Sequence, residues 1–591
     1  MDRRWEWVLV AALVGCGDST AADTDTDGGD TEDARTTTGD EMMTMGPTSA
    51  GTMSGSVGTT TDDSSAATGS ETSMTGVDGS SSSGEPGFSV GGVVTGLNGS
   101  ITLQNNGGDD ITLDADGPFT FATSLLEGET YAVTASDVPS VQQCSIDRAD
   151  GEVAGDVDDV LVRCGNLALF EARGPQGGLE PWISDGSDVG TVALGDLNEG
   201  AGSSNPAFVA GLGGRLIFRA RTNATGFELW STDGSAEDTV MLEELEPGVL
   251  DANFVAAGVL GGLLYVQFQG ALWVSDGQPG GVMELFFDPD PSSAAVVTGA
   301  AVADDYLVFA AQSEGDREPW VTDGTEDGTV LLGDLNSLGD SNPEFFGRAI
   351  DGLVYFTADT ADGRELWVTD GTPGGTEQVI DLQPGVLSSN PTLSGALGGR
   401  VLFGANVPAE GAEPFISDGT EVGTVSLGYL NPTVLGSEPL GFTTLGDVAV
   451  FRADDGVAGR ELWRTDGTEV GTEMVVDLYP GPIDGFGDGV FVHAANPSPD
   501  ADPWAVFAAN DGVAGNEAWV TDGTEEGTVQ LVDISPGAPG GNPSRFVTVG
   551  PDRVLFFGNV PGEGCEPYIS DGTARGTEAL SPLNPGPGDG C

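Results

Sequence analysis

The chain contains no lysine. Its 591 residues carry 94 Asp and Glu against 19 basic side chains, all of them arginine, for a formal net charge of −75. Nucleic acid and anionic lipid are bound by clustered cations that neutralise phosphates, so this surface excludes a nucleic-acid-binding role. The missing lysine also removes Schiff-base catalysis and the lysine of a phosphate-binding loop. Histidine is nearly absent: His493 stands alone, which rules out a multi-histidine zinc centre and leaves one imidazole for any Ser-His-Asp arrangement. Helical periodicity is missing from the repeated part of the chain, and the apolar run near the amino terminus is too short to span a bilayer.

What is present in abundance is a phrase. Glu365–Thr372 reads ELWVTDGT, and related phrases recur nine times around Trp182, Trp230, Trp273, Trp320, Trp367, Phe415, Trp463, Trp519 and Tyr568. The mean spacing is about 48 residues, and a fixed period of this size marks a propeller, solenoid or array. Between Pro343 and Leu382 the pattern predicts four short strands, at Glu344–Ala349, Leu353–Thr357, Glu365–Thr369 and Gln378–Leu382, with a loop over Ala358–Arg364. Four strands per period joined by Gly/Asp turns describe a propeller blade. The predicted fold is therefore all-β: a propeller of about eight to nine four-stranded blades over 165–591. Nine copies exceed the usual four to eight blades. The stretch Asp158–Arg163 either completes the first blade or closes the preceding domain.

The nine phrases resemble the bacterial family named for its ELWxxDGT repeat, with Phe415 and Tyr568 in place of Trp, Pro181, Pro319, Pro414 and Pro567 in place of Leu, and Ala271 in place of Glu. The resemblance implies an architecture and no assigned reaction. Within each phrase the aromatic supplies apolar area for packing between blades. Asp185, Asp233, Asp276, Asp323, Asp370, Asp418, Asp466, Asp522 and Asp571 each precede Gly, a pairing suited to bonding turn amides. In logic it resembles the Asp-box turn of other propellers. The second role open to these aspartates is calcium ligation.

The segments before the repeats differ in kind. Residues 1–16 carry Arg3 and Arg4, then an apolar stretch ending in Leu13-Val14-Gly15-Cys16, which resembles the lipobox of bacterial lipoproteins. The resemblance implies cleavage before Cys16, acylation of that residue, and, with Gly17 rather than Asp following, an outer-membrane or cell-surface address. Attachment through two or three acyl chains is stable. The alternative is an ordinary secretory signal. Residues 17–87 lack Leu, Ile, Phe, Tyr and Trp and cannot bury enough apolar surface to offset ordering, so this tract reads as a disordered tether. The Met42, Met43, Met45 cluster reads as an accident of composition. Residues 88–164 read as a small β-sandwich, with strands expected at Ser100–Leu103, Asp110–Leu113, Phe119–Ala122 and Thr130–Thr134. It resembles a domain recurring in bacterial secreted proteins through Gly96-Leu97, Leu103–Gly107 and Gly117–Phe121. In an exported protein Cys144, Cys164, Cys565 and Cys591 are expected to form structural disulfides, local pairing being the simplest of three connectivities.

Three sets of residues could carry chemistry. Glu180, Glu228, Glu318, Glu365, Glu413, Glu461, Glu517 and Glu566 open the third strands, but a glycosidase needs two unique, differently tuned carboxylates, and repetition points to a structural bond. A sialidase-like enzyme, the alternative to a binding scaffold, would draw on Arg215, Arg400 and Arg553 with a Tyr-Glu pair. Acidic loops with Asp196/Asn198, Asp334/Asn336, Asp381 and Asp533 suit calcium, although no contiguous D-x-D-x-D-G loop is present; weak, non-specific binding by a polyanion is the preferred reading, and no cofactor is expected. The expected function is a non-enzymatic scaffold, attached to a membrane through its lipid and binding a protein or glycan.

Overall fold

The computed structural model describes residues 87–580, apart from 175, 269–270, 288–299, 304, 314–315, 326, 346–348, 434–435, 487–491, 494–501 and 538–539. Cys16, the tether up to residue 86 and Cys591 lie outside the described residues. Among those described, the only helical element is a single 3-10 turn, Pro373–Gly375.

Strands follow from sequence alternation. In Gly363–Thr369 (GRELWVT) the side chains of Glu365, Trp367 and Thr369 share one face, and Leu366 and Val368 the other. The strand pairs with Val354–Thr360 on one side and with Glu377–Ile380 on the other, and Glu344–Phe345 completes a four-stranded antiparallel sheet. The loop expected over Ala358–Arg364 is mostly a continuation of this hairpin: Ala358 faces Glu365, Asp359 faces Arg364 and Thr360 faces Gly363. Polar side chains at its end conceal two further rungs of ladder.

Nine such sheets succeed one another among the described residues, eight with four strands and the first with three. Each uses both faces. Leu229 and Ile217 of blade 2 share a core with Trp273 of blade 3, and Leu366 and Val368 of blade 5 share one with Phe415 of blade 6. Leu402 and Ile416 of blade 6 likewise pack with Trp463 of blade 7. The phrase aromatic therefore faces the preceding blade, while the aliphatics beside it face the following one.

The series closes on itself. Ala168, Phe170 and Ala172 of blade 1 form one core with Val549, Leu555, Phe557 and Ile569 of blade 9, with Trp182 packed against it. The Phe170 and Phe557 rings lie 5.4 Å apart. Arg545 of blade 9 pairs with Glu171 of blade 1 at 2.8 Å. The fold is a closed nine-bladed β-propeller.

The preceding domain is a sandwich of two four-stranded sheets. One is ordered Gly117–Thr120, Val90–Thr95, Val157–Asn166, Gln142–Asp147; the other Gly108–Leu113, Ile101–Asn105, Thr130–Asp137, Asp150–Glu152. Val90, Val94, Ile101, Leu103, Phe119, Val133, Val160 and Val162 fill the space between them. Asp158–Arg163 belongs to this sandwich, pairing with Val90–Thr95 and Gln142–Asp147. The disulfide Cys144–Cys164 ties two of its strands.

Blade 1 lacks an innermost strand of its own, and the sandwich supplies a substitute. The Leu167 amide donates to the Val141 carbonyl at 2.8 Å. Val141 is fully buried in a core with Leu169, Ile183, Leu216 and Phe218 of blades 1 and 2. In blade 2 the corresponding place is held by Leu212, which pairs with Arg215. Around this seam Ser140 Oγ donates to the Asp233 carbonyl, Gln143 Nε2 to the Asp185 carbonyl and the Gly214 amide to Asn98 Oδ1.

Interblade packing of this kind makes the phrase aromatic expensive to remove. Trp463→Ala should cost about 3–5 kcal/mol in urea denaturation. Val470→Ala, at a turn position 95% exposed, should stay within about 0.5 kcal/mol.

Candidate functional site

Eight of the nine Asp-Gly turns share one construction. Asp370 Oδ1 accepts from the Thr372 amide at 2.9 Å and from its hydroxyl at 2.6 Å. Thr372 Oγ1 in turn accepts from the Gly375 amide at 3.0 Å. Thr369 and Thr376, flanking the turn, join hydroxyls at 2.7 Å. The same bonds recur at Asp185, Asp233, Asp323, Asp418, Asp466, Asp522 and Asp571. At Asp276 only the Gln278 amide donates. A Cβ on Gly375 would stand 2.1 Å from the Asp370 carboxylate, which explains the glycine five residues after the aspartate. Bonds from Thr325 hold the Asp323 carboxyl below the usual carboxylate range, and those from Thr468 do so for Asp466. These carboxylates are engaged in stitching the turns.

The eight strand-opening glutamates are buried, from 0 to 2% exposed. Glu180, Glu228, Glu318, Glu365, Glu413, Glu461 and Glu517 each project from the third strand beneath the long connection to the next blade and accept from that connection's amides. Glu461 accepts from the Leu478 amide at 2.7 Å and the Gly485 amide at 2.9 Å. Glu517 accepts from Ile534, Ser535 and Gly541. Glu365 accepts from the Leu382 amide and from both the amide and the hydroxyl of Ser389. The partner 24 residues downstream is followed by Asn390, Glu438 or Asn542 with a φ between 44° and 47°, where the backbone bends left-handed before proline. This linkage escaped the sequence reading. The Ser-Asn-Pro signal some two dozen residues after Glu180, Glu318 and Glu365, varied to Ser-Glu-Pro and Gly-Asn-Pro after Glu413 and Glu517, would have revealed it.

Burial pushes the carboxyls of Glu180, Glu228, Glu318, Glu365, Glu413, Glu461 and Glu517 up, to about 7 for Glu228 and for Glu461. Between roughly pH 4.5 and 7 the folded chain thus keeps protons that the unfolded chain has released, so their contribution to stability falls as pH rises. Asp233, Asp323, Asp418 and Asp466, whose carboxyls lie below the ordinary value, act oppositely, losing their contribution as pH drops below that value.

A second missed element is the aromatic partner of the phrase. Phe218, Phe309, Phe356, Phe451, Phe507 and Phe556 stand directly across from Trp230, Trp320, Trp367, Trp463, Trp519 and Tyr568. Phe403 faces Phe415.

The three arginines are not brought together. Arg215 lies in blade 2, Arg400 in blade 6 and Arg553 in blade 9. Arg215 reaches Ser231 and the Asp238 carbonyl. Arg553 Nη2 donates to the Asp185 carbonyl at 2.6 Å and to Gln143 Oε1 at 2.9 Å, fastening blade 9 to blade 1 and the sandwich. Arg400 lies against Gly467 of blade 7. Tyr306 fills a similar post, donating to the Gly352 carbonyl at 2.8 Å. His493 pairs through its backbone with Ala505. Cys565 is disulfide-bonded. Among the described residues no group of three or more His, Cys, Asp and Glu side chains could hold a metal ion.

The antiparallel order places the connections between blades and the loops between second and third strands at one face of the ring, with the Asp-Gly turns at the other. The first face carries exposed aliphatic tips: Val249, Leu250, Leu338, Val386, Leu387, Val457, Ile483 and Val513. The turn face exposes Val189, Val422 and Val470 and carries the sandwich.

Neither a family model nor a curated protein matches the chain. Solved structures similar to it include TolB from Acinetobacter baumannii, at 16% identity and a TM-score of 0.26, with 44% of this chain and 63% of that one covered. The chain thus spans under two thirds of that TolB's length. A eukaryotic initiation factor follows at 14% and 0.36, covering 62% and 83%, and a nidogen/laminin complex at 12% and 0.24, covering 43% and 89%. Likeness at this level carries no functional argument.

Glu461→Gln, which keeps an acceptor and cannot ionise, is expected to flatten the fall in urea midpoint between pH 4.5 and 7 relative to the parent chain. Parallel profiles would show that this carboxyl does not titrate in that window.

Proposed function

We propose that this is a lipid-anchored envelope protein of the ELWxxDGT-repeat kind, whose propeller is a non-enzymatic scaffold presenting one face to a protein partner. The observation that carries the reading is the ring of eight exposed aliphatic tips opposite the sandwich-bearing face. Isolated surface aliphatics need no explanation, but a set repeated on one face of a rigid ring suits an interface. The repeated carboxylates support the same reading, because the turn aspartates and most of the strand-opening glutamates are bonded to the chain's own amides. Cys16, acylated and followed by the long tether, would hold the ring near a membrane. A tether of about 70 flexible residues spans roughly 45 Å on average, enough to carry the ring clear of the headgroups.

Two outcomes are expected. Cys16→Ala moves the protein from the membrane fraction to the soluble fraction; unchanged partitioning overturns the anchor. Substituting Leu338, Val386, Leu387 and Ile483 by Ser changes stability by no more than about 0.5 kcal/mol per site and weakens adhesion to protein-coated surfaces by ~10-fold or more. Retained adhesion, or binding on a glycan array that the substitutions leave intact, excludes this face as the docking surface.

A further inference from the structure

Blade 1 gathers in one connection three buried acceptors without a partner; Glu413 in blade 6 and Asp381 and Asp477 in blades 5 and 7 each show one such acceptor alone. Glu180 is 2% exposed and its Oε2 accepts from the Leu197 amide at 2.9 Å, but its Oε1 is buried without a partner. Two residues on the adjoining connection show the same deficit. Asp196 Oδ2 accepts from the Gly200 amide at 3.1 Å while its Oδ1 is buried and unbonded. Asn198, 5% exposed, donates through Nδ2 to the Ser203 carbonyl at 2.9 Å and leaves its Oδ1 buried and unbonded.

These three oxygens can only accept when the carboxylates are ionised, and they come from residues that meet around Leu197. Two glycines leave room beside them. A Cβ on Gly178 would fall 3.1 Å from Glu180 Oε1 and 1.8 Å from the Gly202 carbonyl oxygen, and one on Gly202 would fall 3.2 Å from Asn198 Oδ1. The Gly202 carbonyl thus stands in the same corner.

Blade 4 provides an internal comparison, with Asp334 and Asn336 at the corresponding positions after Glu318. There Glu318 Oε2 and Oε1 accept from the Leu335 and Ser341 amides, and Asn336 Oδ1 accepts from Leu338. In blade 4 Glu318 and Asn336 are thus satisfied by the protein itself, and Asp334 is exposed.

We propose that blade 1 holds one calcium ion, bound by Glu180 Oε1, Asp196 Oδ1, Asn198 Oδ1 and the Gly202 carbonyl, with water completing the shell. A buried unpaired acceptor costs about 1–3 kcal/mol, more when charged, so three together require a compensating positive partner. Two carboxylates balance a divalent ion, and an amide and a carbonyl oxygen are ordinary calcium ligands. The site lies beneath the connection from blade 1 to blade 2, away from the Asp-Gly turns.

The test is calorimetric titration of the purified full chain with calcium chloride at about 0.15 M salt, where long-range attraction to a polyanion is screened. One saturable site per chain is expected, together with a rise in melting temperature. Asp196→Asn should weaken that site at least about tenfold, whereas Asp334→Asn in blade 4 should leave it unchanged. Asn198→Asp should tighten binding and lower the melting temperature in chelator, because the added charge then lacks its counterion. Uptake that never saturates, or that Asp196→Asn and Asp334→Asn reduce alike, would overturn the site. So would an Asn198→Asp melting shift that is the same with and without calcium, which would point to ordered water or a shared proton in this corner.

Discussion

Everything in this ring depends on apolar contact between neighbouring sheets. The aromatic of each phrase lies on one side of its strand and the aliphatics beside it on the other, so a strand meets both neighbours at once. Trp230 packs into the core that holds Leu169 and Ile183 of blade 1, while Leu229 of the same strand packs into the core that holds Leu264 and Val266 of blade 3. A blade alone would leave both flanks in water. Stacking removes that exposure, and closure removes the last two flanks.

Polar groups fix what the apolar contacts leave loose. With so few cations, the chain relies on amides and hydroxyls to accommodate its carboxylates. The turn aspartates are bonded within a few residues of themselves, as at Asp466 with Thr468. The strand glutamates reach farther and pin each connection under its own blade, as Glu413 does with Leu430 and Ser437. The scarce arginines occupy places where one cation serves two blades, Arg553 being the example at the seam.

Much of this was legible because it is local. Trp, Asp and Gly stand within five residues of one another, and the period follows from counting them. The blade number and the closure of the ring required coordinates, since they depend on Phe170 meeting Phe557 across most of the chain. The Phe facing most of these Trp was obscure because cross-strand neighbours lie about ten residues apart in a variable hairpin, as Phe356 and Trp367 do. The glutamate linkage was half visible: repetition marked those residues as structural, but their partners lie 17 and 24 residues downstream. The corner around Glu180 was blurred by that same repetition, since Asp196/Asn198 and Asp334/Asn336 look alike in sequence and differ in burial and in what bonds them.

The loan of Val141 to blade 1 gives the ring a particular order of manufacture. Ribosomal synthesis delivers the borrowed piece before any blade exists, and delivers its far neighbour, Val549 to Ile569, last of all. A nascent arc of eight blades therefore already has its blade 1–blade 2 seam complete, while the blade 1 flank holding Ala168, Phe170 and Ala172 and the outer flank of blade 8 both await blade 9. Any message cut short before the ninth phrase would release a crescent whose two bare ends match those of other crescents, a shape suited to chain-to-chain polymerisation rather than to a discrete particle.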